Sequence, residues 1–101
     1  MFYQQGDVII EPSKIPQNAK QKKGKRVVLA EGETTGHAHV ITDTSSCQAF
    51  ETNDELYIRV TKEITVKHEE HKPIAIAPGE YKVRKVREYD HFLKEARSVQ
   101  D

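Results

Sequence analysis

"ELYIRVT", residues 55–61, sets Leu56, Ile58 and Val60 against Tyr57, Arg59 and Thr61. Strict alternation of apolar and polar side chains is the mark of a strand with one face buried and the other wet. The same reading extends in both directions. "DVIIE" (7–11), "RVVLAE" (26–31), "HAHVIT" (37–42), "CQAFE" (47–51), "ITVKH" (64–68) and "IAIA" (74–77) are short, rich in β-formers, and bounded by Pro, Gly or polar clusters. "EYKVRKVREY" (80–89) is long and basic, and its apolar phase slips between Val83 and Val86. A β-bulge near Arg84 and Lys85 would absorb that slip.

Seven or eight strands followed by one helix predict an all-β chain, a small antiparallel barrel or sandwich. The helix is expected over about residues 90–99, capped by Asp90, with Phe92, Leu93, Ala96 and Val99 as its apolar stripe. It would pack on the outside or on a second copy of the chain. Ile9, Val28, Ile58, Val60, Ile64, Val66 and Ile76 are the expected core. The 101 residues contain no linker or repeat, so a single domain over 1–101 is expected.

Sixteen basic and sixteen acidic side chains cancel. No global field draws the chain to nucleic acid or to an anionic membrane. "KQKKGKR" (20–26) and "YKVRKVR" (81–87) are locally basic. The first reads as a solvated loop around Gly24, the second as the outer face of a strand. A nucleic-acid-binding barrel using both is an alternative, but no run of aromatics accompanies the cations. No apolar stretch approaches the ~18 residues of a membrane span. The start lacks the features of a secretory signal. Cys47 is the single cysteine, which fits a reducing compartment, so a cytoplasmic, bacterial location is expected. A small buried residue is its expected role.

Four of the five histidines fall in two pairs, His37/His39 and His68/His71. On a strand His37 and His39 project to one face, and Ile41 continues their row. His68 shares its phase with Ile64 and Val66. His71 stands in a segment about to turn at Pro73, and parity does not fix its direction. Neutral imidazoles gathered this way suit a divalent transition metal: zinc, iron, nickel, copper or cobalt. Glu70, in phase with His68, is the candidate carboxylate ligand or general base. Glu69 is expected to point outward, as a residue behind the ligands or facing solvent. "HEEH" is one residue short of the HExxH zinc-protease helix and sits in strand context. "HAHV" lacks the third alternating histidine of the histidine-triad hydrolases, because position 41 is isoleucine.

"GETTGHAHVI" (32–41) followed by "PIAIAPGEYKV" (73–83) resembles the metal-binding half of a cupin. The resemblance implies a jelly-roll barrel in which His37 and His39 hold a metal, with Gly32 before them and Pro78–Gly79 as the turn of the second motif. The chain departs from that pattern at two places. Asp43 and Thr44 stand where the first motif runs on to glutamate. Tyr81, Lys82 and Val83 stand where a histidine would follow the turn. The order "GDV", "TGHAH", "HEEH.PI", "REY" is also similar to a group of small bacterial proteins, a likeness that implies no activity. Two functions follow as expectations: a metalloprotein, with hydrolytic or other metal-assisted activity toward a small molecule, or a metal-fastened module that binds a protein partner.

Overall fold

The computed structural model describes residues 2–31 and 37–86. In chain order the strands are β1 (Tyr3–Gln5), β2 (Val8–Pro12), β3 (Lys20–Lys22), β4 (Val27–Glu31), β5 (Ala38–Ile41), β6 (Cys47–Glu51), β7 (Leu56–Val60), β8 (Ile64–Val66), β9 (Ile74–Ile76) and β10 (Gly79–Lys85). Every pairing among them is antiparallel. Six form one sheet in the order β1-β2-β10-β7-β6-β3, and β4-β5 and β8-β9 form two hairpins. The described residues hold no helix. None is therefore long and apolar enough to cross a membrane. The helix expected over 90–99 lies outside the described residues.

The alternation in "ELYIRVT" has the effect read from it. Ile58 and Val60 on β7 are buried, and Ile58 loses all contact with solvent. They join Val8 and Ile10 of β2, Tyr81 and Val83 of β10, Ile41 of β5, Val66 of β8 and Ile76 of β9 in one core. The six-stranded sheet and the two hairpins thus share a single apolar interior. Tyr57, on the opposite face, is buried as well. Phe50 and Lys82 stand beside it in register, and Lys82 is ion-paired to Glu55.

Five details depart from the sequence expectation. The sheet is open: its order ends on β1 and β3, and no pairing joins those two edges into a closed barrel among the described residues. β1 was not foreseen, because "YQQ" carries no apolar alternation. It exists because Gly6 adopts φ +57° and turns the chain so that Gln5 faces Val8. Only glycine enters the first position of such a two-residue turn without strain. Part of the basic loop is also a strand. Lys20, Gln21 and Lys22 pair with β6, and all three are exposed, a charged edge that resists pairing with another chain.

The expected bulge at Arg84 and Lys85 is absent, since β10 stays in register with β2 through Lys85 opposite Val8. Val86 leaves the strand and donates its amide to Asp7 O. The irregularity lies in β4 instead, between Val28 and Ala30. It turns Val27 and Leu29 inward, so Val28 is only half-buried and not a core residue.

Candidate metal centre

The two hairpins meet at an isolated backbone bridge. Val40 and Lys67 exchange both backbone hydrogen bonds, each 2.9 Å. Continuing that antiparallel register sets His39 opposite His68, Ala38 opposite Glu69, and His37 opposite Glu70. The side chains follow it. The His39 and His68 rings stand 4.3 Å apart, centroid to centroid. Glu69 Oε1 accepts from the Ala38 amide at 3.0 Å, and Glu70 Oε2 lies 2.8 Å from His37 Nδ1.

All four paired histidines come together here. His68 is the middle ring, 5.8 Å from His37 and 4.7 Å from His71. His39 and His71 stand 5.8 Å apart. Rings on one tetrahedral ion, each nitrogen ~2.0–2.1 Å from it, would have centroids about 5 Å apart. The four separations just given bracket that value, and neutral imidazole is a donor such ions take. The aim of the nitrogens is a separate matter, and among the described residues no three donor atoms form a ready-made coordination set.

His39 is buried, and a residue missed by the sequence reading explains how. Gln5 is fully buried. Its Nε2 donates to Val66 O at 3.0 Å and Lys72 O at 2.8 Å. Two carbonyls can only accept, so the amide nitrogen must face them and Oε1 must face His39 Nδ1, 2.8 Å away. An amide oxygen also only accepts. His39 therefore carries its proton on Nδ1 and leaves Nε2 bare.

Burial lowers the His39 pKa to about 4, helped by the charges of His68, His71 and Lys85. The ring is neutral near neutral pH. His37 has a comparable arrangement, with Nδ1 against the Glu70 carboxylate. Such partners behind a histidine fix its tautomer and raise its basicity as a ligand. Nothing in "YQQG" marked Gln5; only the fold brings it to His39.

The remaining candidates are placed as follows. Glu70, expected as ligand or base, is largely exposed and engaged with His37. Glu69 is held by the Ala38 amide, which lowers its pKa. His71 packs its ring on Gly6, where a Cβ would fall 2.7 Å from Nε2. Cys47 is buried. Burial raises its thiol pKa to about 11, which keeps the free thiol protonated near neutral pH. On β10, Lys82 pairs with Glu55 and Arg84 with Glu11. The cations of this outer strand face are thus partly neutralised within the sheet.

No curated protein and no solved structure matches the chain. A family model does, over residues 4–86, a span that includes Gln5, both histidine pairs and every strand but the first residue of β1. The chain therefore belongs to the DUF8820 family, a domain of unknown function.

Proposed function

We propose that this protein binds a divalent transition ion (zinc, iron, nickel, copper or cobalt) through the cluster of His37, His39, His68 and His71. The observation that carries the reading is the gathering of four imidazoles within 5.8 Å of a neighbour. Two of them, His37 and His39, have the partners on Nδ1 that ligand histidines use. When bound, such an ion acts as a Lewis acid toward an oxygen donor on a small molecule. Gln5 and Glu70 would hold the His39 and His37 rings in the ligand tautomer. Glu70 is better suited to that orienting role than to that of a free base, because its carboxylate is already engaged.

A cupin-like jelly roll belongs to the same proposal. Two antiparallel hairpins and a six-stranded sheet around one core, with an HxH strand at the rim, support it. Tyr81 stands where the second cupin motif has a histidine, and its hydroxyl donates to Ala77 O at 2.6 Å. The last donors would accordingly come from the segment before the turn, at 68–71. Cytoplasmic residence fits the buried, unpaired thiol.

The test is elemental analysis of protein purified without a histidine tag. About one transition ion per chain is expected, and His37→Ala and His39→Ala should each remove it. Metal-free protein that fails to take up any of the five ions would falsify the proposal. Removing the ion separates the two roles. A large fall in melting temperature with no accompanying turnover favours the metal-fastened module.

A further inference from the structure

The apolar interior reaches solvent where the large sheet ends on β3. Lys22 stands opposite Ala49, and Ala49 opposite Ile58, so the three form one row on the inner face. Ile58 and Ala49 are buried and Lys22 is exposed, which sets an ammonium at the end of an apolar row. β6 gives the core only Cys47 and Ala49, the two smallest side chains of the buried cluster. Beside them, between β6 and the β3–β4 connection, lies a cavity of about 330 Å³. Small-molecule sites run from ~300 to ~1,000 Å³.

Its floor is apolar, formed by Val27, Cys47, Ala49 and Leu56, and its mouth is cationic, formed by Lys22, Lys23 and Arg26. Lys22 shares its charge with Glu51 at 3.8 Å. Elsewhere on the sheet Arg59, Lys82 and Arg84 are each paired with a carboxylate. Lys23 and Arg26 have no such partner among the described residues. A chain whose charges cancel thus keeps two unneutralised cations beside one cavity. Near neutral pH a phosphate monoester carries close to two negative charges, and guanidinium and ammonium are its usual partners. Among the described residues no aromatic ring lines the cavity, so the stacking platform that single-stranded nucleic acid uses is missing.

We propose that this cavity binds a small organic phosphate, with its apolar body against Val27, Ala49 and Leu56 and its phosphate between Lys23 and Arg26. None of the four clustered histidines lines it, so the site does not depend on the metal-binding reading.

Phenyl phosphate is the probe, titrated into the full nitrogen-15-labelled chain and followed by amide chemical shifts. Inorganic phosphate, phenol and benzoate are compared with it. The amides of Val27, Ala49 and Leu56 should shift together with those of Lys23 and Arg26. Phenyl phosphate should bind roughly tenfold or more tightly than inorganic phosphate or phenol, because it alone buries a ring and pairs a dianion. Benzoate, with one charge, should bind more weakly. Lys23→Gln combined with Arg26→Gln should weaken phenyl phosphate by roughly tenfold. Lys14→Gln combined with Lys62→Gln makes the same change of charge away from the cavity, and should alter binding by less than about twofold. All four of these residues are exposed, so neither variant disturbs the core. The proposal is overturned if the lining residues show no shift, or if shifts are confined to 37–39 and 68–71. Inorganic phosphate or benzoate binding as tightly as phenyl phosphate, or equal losses in the two double variants, overturns it too. So does an oligonucleotide that outcompetes phenyl phosphate without shifting Val27, Ala49 and Leu56.

Discussion

Gln5 and His39 meet through a 2.8 Å hydrogen bond that ties the edge strand β1 of the large sheet to β5 of a hairpin. The same amide holds Val66 O and Lys72 O, on either side of the His68–His71 segment. One neutral side chain therefore fixes the chain on both sides of the cluster and the protonation of its most buried ring.

Gln5→Leu should be among the costlier single changes. It leaves two carbonyls and an imidazole N–H in the interior without this partner, and each such group costs roughly 1–3 kcal/mol. Urea unfolding should register a loss of about 3 kcal/mol or more. An unchanged midpoint would mean that the amide does not tie the layers.

The metal-free protein should lose stability on mild acidification. The His39 pKa is about 4 when folded, and that of an unperturbed histidine is about 6.5. Between those values the unfolded chain binds the proton and the folded one does not. The contribution is therefore complete above about pH 6.5 and is lost as pH falls toward 4, at no more than about 1.4 kcal/mol per pH unit. Unfolding curves across that window, compared with His39→Gln, should show a shallower dependence in the variant.

Glu70→Gln separates orientation from proton transfer. With Glu70 as the carboxylate behind His37, the substitution should lower metal affinity by roughly 10–100-fold. Metal content that stays at the wild-type level while a turnover disappears would return Glu70 to the role of base.

Gly6→Ala should act on His71. The added methyl would fall 2.7 Å from His71 Nε2, and φ at this position is +57°. A destabilisation of about 1 kcal/mol or somewhat more is expected from the backbone alone. Displacement of the His71 ring should appear as changed histidine resonances. Ile58→Ala, in the fully buried middle of β7, should cost roughly 2–5 kcal/mol without altering them.

Strands whose two faces differ were legible, as Ile58 and Val60 or Ile64 and Val66 demonstrate. Strands without that contrast were not. "YQQ" and "KQK" became edge strands because a Gly6 turn and a neighbouring strand offered them backbone partners, and a hydropathy pattern does not record such offers. The slip at Val83 and Val86 was real in the sequence but did not make a bulge, because the strand ends before it matters. The grouping of His37, His39 and His68 followed from parity. The position of Gln5 and the tautomer of His39 depend on contacts that no local spacing encodes.

The isolated Val40–Lys67 bridge also has a bearing on the order of events as the chain folds. Each hairpin can close locally and quickly, whereas the Gln5 amide bonds partners 61 and 67 positions away. Contacts of that range wait until the intervening chain has been organised. His37 and His39 therefore leave the ribosome well before anything can complete their surroundings. A fragment that stops short of Lys72 would carry the HAH strand without the structure that sets its protons, and ion loading belongs to the finished fold.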